Sequence, residues 1–309
     1  MALRRHAPCA PVQGVLARAE GPDPDPSRRF ARRLPEDWPR ESRDRTVVTG
    51  HREPRREAGA SVAEQFGRAA RAYATTGLFA SGDDLDLIAR EARLGPESVA
   101  LDLACGAGHV ALALAHHVRR VIGVDITPEL LDEARRLAGE RGVDNLDLAV
   151  GAADAIPVAS GACDGVTCRY AAHHFPEMSR ALGEVRRVLA PGGRAVFVDV
   201  VGPHDPLLAE WLLRIETLRD PSHVRDHSLG DWMAMLERVG FGVAASRTWS
   251  LPLEVDPWLR RMNAPAGSSA EVRRLFLDAD EAARRYFRIR SDGALRFEFE
   301  VALIVAVPR

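Results

Sequence analysis

The stretch Val99 to Asp125, VALDLACGAGHVALALAHHVRRVIGVD, sets an apolar run, a glycine turn, an amphipathic run and a second apolar run ending in an acid, all without interruption. Taken as a unit it reads as strand, tight turn, helix and strand, the opening of an open α/β sheet. A ligand is expected at the turn. Its two glycines allow close approach of backbone to a ligand, and the helix it starts has free N–H groups at its N-terminus. A strand-to-helix turn without a ligand is the plainer reading of the same residues.

The alternation continues on both sides. Before it, VAEQFGRAARAY places Val62, Phe66, Ala69, Ala70 and Tyr73 on one helical face, and Ser81 to Leu94 opens with a capping-box-like SGDD. After the first strand, near Ser98–Ala104, come a helix at His109–Val118 and a strand at Arg120–Asp125. A helix at Pro128–Arg141 follows, with Thr127 as N-cap and Pro128 at its first position. Strands at Leu146–Val150 and Gly165–Arg169, a helix at Met178–Leu189, the turn APGG and a strand at Arg194–Val201 complete five parallel strands. Helices at Leu207–Leu218 and Leu229–Val239 precede strands near Val243–Trp249 and Arg296–Val307, which are expected to pair antiparallel. Residues 61–309 thus form one α/β domain. Residues 1–60, rich in Arg, Pro and acids with no sustained apolar period, are expected to be a disordered extension.

Composition removes several functions. All 42 basic residues are arginine, so neither a pyridoxal Schiff base nor a lysine-bearing phosphate loop can form. A net charge of −2 offers no field for nucleic acid, and no apolar run approaches the roughly 20 residues of a membrane helix. Cys9, Cys105, Cys163 and Cys168 form no CxxC pair and have no histidine at zinc spacing, so no metal site and a reduced, cytoplasmic setting are expected.

The turn Gly106-Ala107-Gly108-His109-Val110-Ala111 satisfies GxGxxA, a pattern shared by dinucleotide enzymes and by enzymes that bind S-adenosylmethionine. Acids separate the two. Asp102, within the strand four residues before Gly106, would repel a pyrophosphate and welcome an ammonium group. Asp125, ending the next strand, is placed to accept hydrogen bonds from ribose hydroxyls. Asp154, in the loop after the third strand, can accept a hydrogen bond from an exocyclic adenine amine.

DLACGAG at 102–108, VIGVDITPELLDEA at 121–134, AADAIPV at 152–158, DGVTCRYAAHHFPE at 164–177 and RVLAPGGR at 187–194 together resemble the class I S-adenosylmethionine-dependent methyltransferases. The nearest likeness is to the small-molecule branch that includes the ubiquinone and menaquinone biosynthesis enzymes. The resemblance implies a Rossmann-like fold with helices on both faces of a seven-stranded, mostly parallel sheet of order 3-2-1-4-5-7-6, strand 7 being antiparallel. It implies S-adenosylmethionine as methyl donor, with the methionine portion held by Asp102, Ala104 and the turn Gly106, Ala107 and Gly108. Asp125 and Ile126 would take the ribose and adenine, Ala153 and Asp154 the adenine edge. Arg169 would border the sulfonium and Tyr73 cover the cofactor. Ala107 stands where the family often has Thr, which removes a hydroxyl contact without spoiling the turn.

Methyl transfer asks for in-line positioning more than for acid–base chemistry. Where the acceptor must lose a proton, His174 and His223 are the candidate bases. His223 lies in LRDPSHVRDHSLGDW, which resembles a substrate-facing segment of the same branch, and His173 is a candidate substrate contact. Trp258, Met262, Phe276 and Phe287 could wall a substrate lid or be ordinary core. The expected protein methylates O, C or N of a small, partly apolar acceptor, as a monomer or homodimer. A nicotinamide oxidoreductase using the same turn and a catalytically inactive cofactor-binding module stay open as alternatives.

Overall fold

A computed structural model of the chain describes residues 48–49, 62–67, 70 and 82–309. Among the described residues nine strands form one sheet. They are β1 (Val48–Thr49), β2 (Val99–Leu103), β3 (Arg120–Asp125), β4 (Leu146–Val150), β5 (Cys163–Arg169), β6 (Leu189–Val200), β7 (Phe241–Glu254), β8 (Arg290–Ser291) and β9 (Leu295–Pro308). Their order is β1-β4-β3-β2-β5-β6-β9-β7, with β8 paired to β9. Without the two-residue strands β1 and β8, the remaining seven follow the order 3-2-1-4-5-7-6 implied by the family resemblance. β9 runs antiparallel to both β6 and β7.

The central strands read as near-continuous apolar runs because both faces are covered. Alternate side chains serve opposite faces. Val196, Val198, Val301, Leu303 and Val305 join one core cluster, while Ala195, Phe197, Ala302, Ile304 and Ala306 join the other. Covering the faces are α1 (Asp83–Ala92), α2 (His109–Ala115), α3 (Pro128–Glu140), α4 (Met178–Val188), α5 (Pro206–Arg219) and α6 (Leu229–Arg238). α3 begins as expected, with Thr127 at the N-cap and Pro128 at the first position. α1 instead starts from Gly82, which has no side chain to cap with, while Asp84 in its first turn pairs with Arg169.

Two segments depart from the expected boundaries. APGG is no free turn. β6 already begins at Leu189, and the ladder jumps from Cys163↔Leu189 to Gly165↔Arg194, leaving Gly192 at φ +79° in a bulge. β7 continues through Pro252 to Glu254 and pairs with β9 along its whole length, since Pro is tolerated on an edge strand. Between these strands lie α7 (Val255–Arg261), α8 (Ala266–Leu277) and α9 (Glu281–Tyr286), α9 being capped by the Asp280 carboxylate. Trp258, Met262, Phe276 and Phe287 are all buried here, and Trp258, Phe276 and Phe287 belong to the same cluster as the sheet face. They are core, not the wall of a lid.

Candidate active site

A cavity of about 590 Å3 opens at the carboxyl ends of β2, β3, β4 and β5. The chain passes from β2 through α2 to β3 on one side, while β5 pairs with β2 on the other, so the cavity lies at the point where strand order reverses. Val62 and Phe66 of the helical segment 62–67 lie over it. Gln65 Nε2 donates to the Met262 carbonyl at 3.1 Å, which anchors that segment to the end of α7.

The glycine turn is held by its own acids. Gly106 and Gly108 adopt φ +52° and +81°, and a Cβ on Gly108 would meet the Ala134 Cβ of α3 at 3.1 Å. Asp125 clasps the turn: Gly106 N–H donates to one carboxylate oxygen and Thr127 N–H to the other, both at 2.8 Å. Asp102 accepts from Ala111 N–H at 3.0 Å and from the Thr167 hydroxyl at 2.9 Å, tying β2 to α2 and β5. Burial outweighs these hydrogen bonds and pushes Asp102 up to about 7; burial also raises Asp125. Asp154 sits half-buried in the tight turn Ala152–Ala155, closed by Ala155 N–H to the Ala152 carbonyl at 3.1 Å.

Asp102, Asp125, Asp154 and Glu177 bring four carboxylates to the cavity, against the guanidinium of Arg169. That guanidinium is committed to Asp84 of α1 through Nε to Oδ2 at 2.7 Å and Nη2 to Oδ1 at 3.0 Å. Such a donor set fits a ligand carrying an ammonium and a sulfonium, and disfavours a pyrophosphate, which would face unneutralised acids.

After β5 the chain turns sharply, with Tyr170 at φ +51°, into a 3-10 turn at Ala172–His174. His174 lines the cavity and lies edge-on to Phe66, with ring centres 5.1 Å apart. Its Nδ1 is 3.1 Å from the Ser222 carbonyl, an arrangement that fixes the proton on Nδ1. Burial and the neighbouring His173 charge lower it to about 3, so His174 is a neutral imidazole. His173 points away from the cavity to Asp199 at the end of β6, Nδ1 to Oδ1 being 2.6 Å. Burial acts to lower His173, but the Asp199 charge and hydrogen bond prevail and hold it at about 9. His223 is buried behind both rings, stacked on His173 with centres 5.2 Å apart and 3.3 Å from Asp226.

Of the residues expected in the site, Asp102, Ala104, Gly106, Ala107, Asp125, Ile126, Ala153, Asp154, Arg169 and His174 line one cavity. Gly108 stands just beneath the turn as the N-cap of α2. Tyr73 lies outside the described residues, as do residues 1–60 apart from the Val48–Thr49 strand paired with β4. His173, expected as a substrate contact, and His223, expected as a base, do not line this cavity, because the 3-10 turn sends His174 forward while His173 turns to Asp199 and His223 to Asp226. Asp84, Glu177 and Asp199 were not anticipated. Asp84 was hidden in an acidic cluster that reads as a helix cap, whereas Asp199, an acid in the apolar run AVFVDVV, was a usable signal.

Among the described residues no helix is long and apolar enough to cross a membrane. A family model described as a methyltransferase domain matches residues 101–197. The chain is 39% identical over 247 residues to the uncharacterized methyltransferase YcgJ of Bacillus subtilis, covering 79% of this chain and 98% of the relative. The crystal structure of YcgJ aligns with a TM-score of 0.70 at 36% identity, over 74% of this chain and 98% of that one. A demethylmenaquinone methyltransferase of Thermus thermophilus is 42% identical over 105 residues, 33% of this chain and 47% of its own length. With the strand order, the acid-lined glycine turn and these likenesses in agreement, the chain belongs to the class I S-adenosylmethionine-dependent methyltransferases.

Proposed function

We propose that this protein transfers a methyl group to a small, partly apolar acceptor, by positioning above all, with His174 receiving the acceptor's proton. The observation that carries this reading is the joining of a carboxylate-rich cavity floor and a neutral, hydrogen-bonded imidazole in one cavity. When bound, S-adenosylmethionine supplies a methyl group already activated by its sulfonium. Asp102, Ala104 and the Gly106–Gly108 turn hold the methionine portion, and Asp125 and Ile126 hold the ribose and adenine. Ala153 and Asp154 meet the adenine edge. Asp84 offsets the charge of Arg169, so that its guanidinium can stand near a cation without repelling it.

The low basicity of His174 bears on the acceptor. A carbon acid must lose its proton before it can attack, which asks for a strong base. A hydroxyl attacking through its lone pair becomes strongly acidic as it gains the methyl group, and a weak base beside it suffices. The acceptor therefore attacks before it gives up its proton, as a hydroxyl does through its lone pair or an electron-rich alkene or arene carbon through its π electrons, and a saturated carbon acid is disfavoured. The apolar lining from Val62, Phe66, Leu103, Ile126 and Leu130 suits a partly apolar molecule.

Calorimetric titration with S-adenosylhomocysteine is the first test, with micromolar binding expected; absence of binding would remove the reading. Labelling of a cell extract with radioactive methyl donor, followed by identification of the labelled product, then separates an active enzyme from an inactive binding module.

A further inference from the structure

The turn that carries Asp154 is too short to hold itself. Ala152 and Ala155 pair as an isolated antiparallel bridge, with Ala155 N–H donating to the Ala152 carbonyl at 3.1 Å, and the flanking backbone is fixed from outside. On one flank Gly151 N–H donates to the Asp125 carbonyl at 3.0 Å, tying the turn to the end of β3. The other flank rests on two side chains of α4. Ile156 N–H donates to Glu184 Oε2 at 2.9 Å, and the Ile156 carbonyl accepts from Arg187 Nη2 at 2.9 Å. Both polar groups of that peptide segment are thereby satisfied by one ion pair, as a neighbouring strand would satisfy them. Arg187 Nη1 reaches the Val158 carbonyl at 2.7 Å, and Gly161 N–H returns to the Arg187 carbonyl at 2.9 Å. The pair is locked internally: Arg187 Nε and Nη2 each donate to a different Glu184 oxygen at 2.7 Å. A planar fork with fixed donor directions can bridge two carbonyls and a carboxylate at once; a single ammonium cannot.

We infer that Glu184 and Arg187, on a helix that contributes neither of them to the cavity, are positioning residues that set the turn reading the adenine base and so govern selectivity for the adenine amine. The inference rests on the proposed contact of Ala153 and Asp154 with adenine. With the flank fixed, the Asp154 carboxylate is presented at one height beside the base. With it loose, the turn samples several positions and the amine loses its acceptor for much of the time.

The test compares binding of S-adenosylhomocysteine and S-inosylhomocysteine, in which oxygen replaces the adenine amine, to the full chain by calorimetry. Wild type is expected to prefer the adenosyl compound by about tenfold, the value of one good hydrogen bond. Arg187→Gln is expected to bring that preference below about threefold by the same conversion. A general loss of stability would weaken both ligands alike and leave the ratio unmoved. Absence of preference in wild type would overturn the adenine contact itself. A preference present in wild type and unchanged in R187Q would overturn the positioning role alone. Should R187Q fail to fold, Arg187→Lys, which keeps the charge without the fork, is expected to give a preference between the two, and a wild-type ratio there would equally overturn the role.

Discussion

Asp102 is a buried carboxylate with two hydrogen-bond donors, and burial outweighs these and the nearby Arg169 charge, holding it at about 7 instead of its ordinary 3.8. The folded chain therefore binds this proton more tightly than the unfolded chain does. The stability linked to it is complete below pH 3.8 and falls as pH rises to about 7. A ligand ammonium group set beside it reverses the balance by favouring the carboxylate. Binding of S-adenosylhomocysteine at pH 7 should release up to about half a proton, read from calorimetry in buffers of different ionisation enthalpy. Asp102→Asn should abolish the release, weaken binding, and make the ligand-free chain more stable above pH 7. An asparagine can still accept from Ala111 N–H and donate to the Thr167 hydroxyl, so the fold should tolerate it. At His174 the expectation concerns rate. His174→Gln should lower the rate of methyl transfer about 10²- to 10⁴-fold while S-adenosylhomocysteine affinity changes little, measured on the acceptor found by extract labelling. Since His174 is held at about 3, wild type should show no loss of rate from its protonation between pH 5 and 8.

Among the elements, the strand–turn–helix unit β2–α2 was the most legible in the sequence, and for a physical reason. An apolar run, two glycines at positive φ and an amphipathic run are all local requirements. Gly108→Ala combines left-handed strain with a Cβ 3.1 Å from Ala134, and should cost about 2 kcal/mol, read as a lowered urea midpoint. It should weaken S-adenosylhomocysteine binding as well, because the turn can relieve the contact only by moving away from α3. Less legible were features settled by distant partners. Asp84 reads as a helix cap until Arg169, far along the chain, takes it. EVRRLFLDADEAARRYF has one apolar period throughout, yet α8 and α9 part at Asp278–Asp280, where the Asp280 side chain starts a new helix. The paired histidines marked the right loop, but the sequence carried no sign of which ring faces inward, since that depends on Asp199 drawing His173 the other way.

Across the whole molecule, the segment α7–α9 shares its core with the sheet. Trp258, Phe276 and Phe287 belong to one apolar cluster with Val196, Val198 and Ile88. Phe276 packs against Trp211 of α5 and Phe297 of β9, with ring centres 5.3 and 4.7 Å apart. Phe276→Ala should cost about 3–5 kcal/mol and lower the melting temperature by roughly 10 °C in a single transition. A separate early transition would mean that the segment unfolds on its own. The place of β9 has a further consequence, for synthesis. It closes the ladder between β6 and β7, yet both of those strands leave the ribosome before it. Until residues 295–308 emerge, the nascent chain carries two bare strand rims that only its own later segment can quench. Each round of translation thus becomes a race between the arrival of β9 and self-association, and slow elongation or a premature stop near residue 295 should favour the aggregate.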